Sequence, residues 1–151
     1  MVADLFPRVD SLLPWLPGET LFSLCSRHHR LWGYRLSSRS SEVMFGGRRV
    51  GTQHDFPSGL DAFALRTDGH LGSAVEIARD RTMLRFYRAF LAQAEIDYAI
   101  WSMRGPAVAH LKFRLGLLTS RFRANHPLKA CAACMHDDLS EHGWVYWHQV
   151  H

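Results

Sequence analysis

The sequence predicts a mainly α fold, a helical domain followed by a small metal-binding module, and three observations lead there. Apolar residues recur at three- and four-residue spacing in several segments, the period of one helix face. No segment sustains period-two alternation, so strands should be few, with 145–150 the best place for one. The tail from Cys131 to His151 holds a Cys-x-x-Cys pair followed by His136, His142, His148 and His151, a concentration of metal-ligand types.

Residues 1–18 carry Pro7, Pro14, Pro17 and Gly18 and read as an extended lead-in. From Glu19 to Trp32, Leu21, Leu24, Cys25, His28, Leu31 and Trp32 fall on one face of a helix, with Glu19 favourable to its dipole and Gly33 as its stop. Cys25 on that face is read as a small buried hydrophobe. Ser37 to Phe45 reads as a second helix, capped by a serine and stopped by Gly46-Gly47. Two short helices with a tight connection form a candidate helix-turn-helix, in which Arg39, Arg48 and Arg49 would meet a phosphate backbone. The stretch 46–57 is polar and loop-like. Ser58 is placed to cap a helix carrying Leu60, Phe63, Ala64 and Leu65, broken by Asp68-Gly69. Further helical pieces follow between Ser73 and Met103. One is capped by Thr82, with Leu84, Tyr87 and Leu91 on one face and Met83, Phe86 and Phe90 beside it. Another carries Ile96, Ala99, Ile100 and Met103 and closes at Gly105-Pro106. A last helix is expected from Pro106 to Arg123, its apolar seam made of Val108, Leu111, Leu115, Leu118 and Phe122. Lys112, Arg114, Arg121 and Arg123 flank that seam, either as snorkelling side chains or as a basic edge that docks a partner.

The chain has 151 residues, enough for one domain with a small appendage, and its 47% hydrophobic content suits a buried core. No apolar run approaches 18 residues, so no membrane span is expected. The N-terminus lacks the basic start and apolar stretch of a signal peptide, and three cysteines with one close pair suit a reducing cytoplasm. Net charge is +4 and the pI is about 9.3. Basic residues occur without acids at 98–130, and Arg27, Arg30, Arg35 and Arg39 form a second basic run, suited to phosphates, to an acidic protein face or simply to solvent.

Cys131 and Cys134 could present both sulfurs to one metal ion, though a redox dithiol or two unrelated thiols fit the same spacing. With His148 and His151 the pattern becomes C-x2-C-x13-H-x2-H, a workable Cys2His2 spacing for a structural zinc. Asp137 and Asp138 sit on an expected turn and should face water; Trp144, Tyr146 and Trp147 should pack around the site. The usual serine-hydrolase, zinc-protease and phosphate-loop motifs are missing, so no enzyme is expected.

The segment Cys131-Ala-Ala-Cys134, Asp137-Asp138, Gly143-x-x-Tyr146-Trp147-His148-x-x-His151 resembles the zinc-binding stretch of the TniQ/TnsD proteins, accessory proteins of bacterial transposition. Leu16-Pro17-Gly18-Glu19-Thr20-Leu21-Phe22-Ser23-Leu24 is similar to that family's opening. Residues 56–62 and 82–91 resemble two interior blocks in the same order. The resemblance implies a further Cys-x-x-His pair after the Trp-His-x-x-His segment, where this sequence stops at His151. The expectation is therefore a partial zinc-ribbon-like module over 127–151, after a lead-in (1–18) and a helical domain (19–126), in the N-terminal part of a longer protein. It further implies a non-enzymatic adaptor that helps choose a transposition target by engaging an AAA+ ATPase regulator of the TnsC/TniB kind. DNA, a CRISPR effector complex and a second copy in a homodimer are its other expected partners. A zinc-stabilised DNA-binding regulator is the alternative function, and a small metal hydrolase or a decayed gene remnant are two further readings.

Overall fold

The structure, a computed structural model, describes residues 12–108, 110–117 and 130–148. Its helices are α1 (Leu21–Trp32), α2 (Ser37–Phe45), α3 (Leu60–Arg66), α4 (Ala74–Asp80), α5 (Leu84–Tyr87), α6 (Gln93–Arg104), α7 (Leu111–Arg114) and α8 (Ala132–His142), with a 3-10 turn at Arg88–Phe90. The mainly helical expectation holds. Among the described residues the only β feature is an isolated antiparallel bridge between Glu19 and His148, so over its described part, 145–148, the strand expected at 145–150 is a single pairing; 149 and 150 lie outside the described residues.

Local chemistry explains most of the boundaries. Thr20 caps α1 by accepting from the Ser23 amide at 3.3 Å, and Gly33 ends the helix in the left-handed region at φ 65°. Gly46, at φ 78°, ends α2 in the same way. The serine cap expected for α2 is not made: Leu36 holds that position and no side chain bonds there. Ser58 does not cap α3 either. Gly59 stands at the cap, while the Ser58 hydroxyl turns inward to accept from the Gly51 amide at 3.4 Å. Ser73 and Glu76 form a full capping box on α4. Thr82 joins α4 to α5, donating to Ala78 O at 2.6 Å and accepting from Leu84 N at 3.2 Å, one residue before the position Met83 holds.

The core lies where α3 packs on α2, α4 and α6, and α4 on α6 and α5. Leu24, Leu60, Phe63, Ile77, Leu84, Ala99, Met103 and Leu111 are sealed from solvent. Each such large side chain contributes about 1.5–3 kcal/mol by leaving water. Phe45 and Phe63 meet ring to ring at 5.1 Å, and Arg66 donates to Val43 O near the end of α2 at 3.3 Å. Leu31 and Leu65, expected on buried faces, are exposed.

The long helix expected from Pro106 to Arg123 is reduced, over its described part, to the single turn of α7. Gly59 N–H donates to Gly105 O at 2.6 Å and ties that carbonyl to the start of α3, and His110 takes a left-handed conformation at φ 60°. Gly116, also at positive φ, follows α7. Leu111 and Leu115 nonetheless reach the core as the spacing required, while Leu118 and Phe122 lie outside the described residues. No helix among the described residues is long and apolar enough to cross a membrane.

Candidate functional site

The lead-in, the first turn of α1 and the segment after α8 meet around one buried carboxylate. Glu19 has no solvent exposure, and Arg27, two turns along α1, is 3% exposed. The Arg27 guanidinium donates through Nε to Glu19 Oε1 at 2.8 Å and through its terminal nitrogen to Oε2 at 2.6 Å, a bidentate pair. Ser23 Oγ donates to Oε1 and the Leu16 amide to Oε2, both at 3.0 Å, and Arg27 also reaches Pro14 O at 2.7 Å. Both charges are thus hydrogen-bonded, the condition under which burying them is tolerable. Arg27 therefore leaves the basic run expected with Arg30, Arg35 and Arg39, and Glu19 serves a buried ion pair where a helix-dipole role was expected.

The C-terminal segment closes over this pair. Thr20 N–H donates to Trp147 O at 3.1 Å, Trp147 N–H to Ser23 Oγ at 3.0 Å, and the Tyr146 hydroxyl to Pro17 O at 3.0 Å. The Trp144 ring covers the Arg27 guanidinium at 5.6 Å. Tyr146 is buried and Trp147 half-buried, as packing residues should be, and burial raises the Tyr146 phenol above its ordinary pKa.

Beneath this segment, Cys131, Cys134, Met135, Asp138, Tyr146 and His148 line a cleft of about 10 Å³, space for one water-sized group. Cys131 occupies the cap position of α8, and Cys134 and Asp138 follow one turn apart on one face. Sulfur lone pairs on Cys131 receive the Cys134 N–H, then the Cys134 thiol and the Ala133 N–H, which lowers its pKa. Cys134 moves up, because its proton is held by Cys131 and because burial and the nearby charges of Cys131, Asp138 and Asp137 oppose a thiolate. Asp138, expected to face water, is buried: His148 Nε2 donates to both its oxygens, at 2.9 and 2.8 Å, while the ring stacks on Tyr146 at 4.3 Å.

Two thiols, an imidazole and a carboxylate are a donor set suited to zinc. Among the described residues, however, no three His, Cys, Asp or Glu side chains converge as a group that could hold a metal ion. His148 is brought to the cysteine cleft, but its Nε2 is committed to Asp138. His151 lies outside the described residues, as do Arg121 and Arg123. His136 is exposed, whereas His142, on the same side of α8 as Cys134 and Asp138, is half-buried with its ring edge-on to Tyr146 at 5.8 Å.

The remaining basic candidates divide. Arg39, Arg48 and Arg49 are exposed; Arg39 and Arg48 both contact Glu42, whose carboxyl is held below its ordinary pKa by the Arg39 hydrogen bond and by the charges of both arginines. Lys112 is half-buried in an ion pair with Asp55, and Arg114 lies over the Tyr98 ring at 3.7 Å. His29, next to the buried His28, bonds the Ser40 hydroxyl at 2.7 Å and joins α1 to α2. Cys25 packs against the core, where burial and then Glu19 raise its pKa, so it is an inert thiol.

Sequence reasoning missed Asp138 and the Glu19–Arg27 pair. Asp138 had a readable signal, since it lies four residues from Cys134 on the helix that Cys131 precedes. No protein-family model matches this chain, and no curated protein matches it.

Proposed function

We propose that this chain is a non-enzymatic binding module of the TniQ/TnsD type, an accessory that engages an AAA+ ATPase of the TnsC/TniB kind during transposition target selection in the cytoplasm. One observation carries the reading. The four blocks on which the resemblance rests pack against one another in pairs. Pro17, Thr20 and Ser23 of the opening block bond Tyr146 and Trp147 of the closing one, and Phe56 of the first interior block meets Tyr87 of the second at 5.8 Å. Segments 124 and 129 residues apart that meet through their motif side chains are what a common domain core requires.

In this reading Cys131 and Cys134 supply two sulfurs to a structural zinc, with His148 and His151 as the candidates to complete it. His148 would have to release Asp138 to do so. The zinc would clamp a small ribbon-like module and activate no water, because a closed tetrahedral site has no open position. DNA, a CRISPR effector and a second copy are the further partners. The alternative, a DNA-binding regulator, draws support from the α1–α2 connection over 33–36 and from exposed Arg39 on α2 with Arg48 and Arg49 after it.

The test is retention of the purified chain on an immobilised ATPase of the TnsC/TniB kind, with ATP, with ADP and without nucleotide. Retention in ATP that disappears in Tyr146→Ala supports the adaptor. Equal recovery with and without nucleotide, or none in either, removes it.

A further inference from the structure

The cysteine pair at the start of α8 has a chemistry of its own that needs no metal. Cys131 holds the cap position in an extended conformation, and Cys134 is the third residue inside the helix. A cap side chain reaches back over that third residue, which is how the two partners of a capping box meet. Here both positions carry sulfur. The Cys134 thiol donates to Cys131 Sγ, and the amides of Ala133 and Cys134 face the same sulfur. Nothing else competes for the pair: among the described residues no three His, Cys, Asp or Glu side chains form a group, and His148 gives its Nε2 to Asp138. Ala132 and Ala133, between the cysteines, are exposed, and both cysteines line a cleft with space for one water-sized group.

We propose that Cys131 and Cys134 are a peroxide-reactive dithiol that closes to an intramolecular disulfide. A cap residue and the third residue of its helix lie on one turn, within the roughly 4.4–6.8 Å between Cα atoms that a disulfide spans. Hydrogen peroxide is the oxidant, small enough to reach a cleft of this size. Cys131 Sγ attacks one peroxide oxygen, the O–O bond breaks, and water leaves with the thiol proton, giving Cys131 S–OH. Cys134 Sγ then attacks Cys131 Sγ, the S–O bond breaks, and a second water carries off the Cys134 proton. The two sulfurs together lose two electrons and peroxide gains them. Cys131 attacks because its sulfur lies where the first amides of α8 converge; Cys134 resolves because its thiol already points at Cys131. Cys25 is the contrast, packed against the core on a helix with no second thiol. Oxidant and metal compete for the same two sulfurs, since a disulfide offers neither thiolate. The inference stands on the contact between the sulfurs and does not rest on the adaptor reading.

The test is peptide mapping of the purified full chain, exposed to hydrogen peroxide with a chelator present and then alkylated. Trypsin leaves both cysteines on the peptide that begins at Ala130, and Cys25 on the peptide 9–27. The expected result is loss of two hydrogens from the first peptide, reversed by dithiothreitol, with Cys25 still fully alkylated. Free thiols in the denatured chain fall from three to one. Cys134→Ser should halt at Cys131 S–OH, trapped by dimedone, and Cys131→Ser should leave Cys134 alkylated. Circular dichroism matching the parent chain establishes that each variant is folded. The proposal is overturned if the first peptide keeps both thiols, or if the disulfide links two chains. It is also overturned if Cys131→Ser loses its Cys134 thiol as fast as the parent chain does. Because metal is removed throughout, a negative result here leaves the zinc measurement and the ATPase experiment untouched.

Discussion

Replacing Glu19 with alanine removes the acceptor for four donors: Arg27 through Nε and its terminal nitrogen, Ser23 Oγ and the Leu16 amide. Of these, Arg27 decides the outcome. It is 3% exposed and keeps only its bond to Pro14 O, so a guanidinium stays charged in a site water does not reach. Breaking a buried pair from one side costs about 3–5 kcal/mol, whereas replacing both partners with apolar groups is often neutral. Glu19→Ala should therefore lower the unfolding free energy in urea by about 4 kcal/mol and the melting temperature by roughly 10 °C. Glu19→Leu/Arg27→Leu should recover most of that loss. Single variants costing under about 1 kcal/mol, or a double variant no better than Glu19→Ala, would refute the buried pair as the joint of the structure.

Three further outcomes follow from other sites. His28 is fully buried; its Nε2 accepts from the Leu13 amide at 3.1 Å, its Nδ1 has no partner, and burial, then the Arg27 charge, lowers its pKa from 6.5 to about 4. The unfolded chain thus takes up a proton that the folded one refuses, so stability is present at pH 7 and lost as pH falls from 6.5 to 4. The loss is about 3 kcal/mol, and His28→Gln should flatten that part of the urea-melt pH profile. Phe63→Ala should cost about 3–5 kcal/mol, since the ring is sealed against Phe45, and a calorimetric loss under about 1 kcal/mol would contradict that packing. Mass spectrometry should find one zinc per chain, lost in Cys131→Ser/Cys134→Ser; metal kept by that variant would exclude the two sulfurs as ligands.

Elements whose signals are local were legible in the sequence. The apolar spacing of α1, with Gly33 after it, and of α6, with Gly105-Pro106 after it, gave both helices nearly to the residue. The seam through Leu111 and Leu115 was legible as a burial pattern but misleading as a helix, because periodicity says nothing about His110 or about Gly105 O being tied to Gly59. Ser37 and Ser58 resembled caps. Ser58 instead finds an acceptor role inside the core at Gly51, which only the folded chain offers.

The site divides the same way. Cys131 and Cys134 were legible from their spacing, and Tyr146 and Trp147 as packing residues from their aromatic character. Arg27 looked like one more surface cation, because the lead-in that buries it and the Trp144 ring that covers it arrive from opposite ends of the chain. Asp138 looked solvated for the same reason, its partner His148 lying beyond the end of α8.

Closure of residues 144–148 over the start of α1 joins the two ends of the described chain, and amide hydrogen exchange measures that closure directly. The Trp147 and Thr20 amides, bonded to Ser23 Oγ and Trp147 O, should exchange slowly and lose protection together in Glu19→Ala. A Trp147 amide that exchanges at the rate of an unstructured peptide, while the α1 amides stay protected, would contradict it.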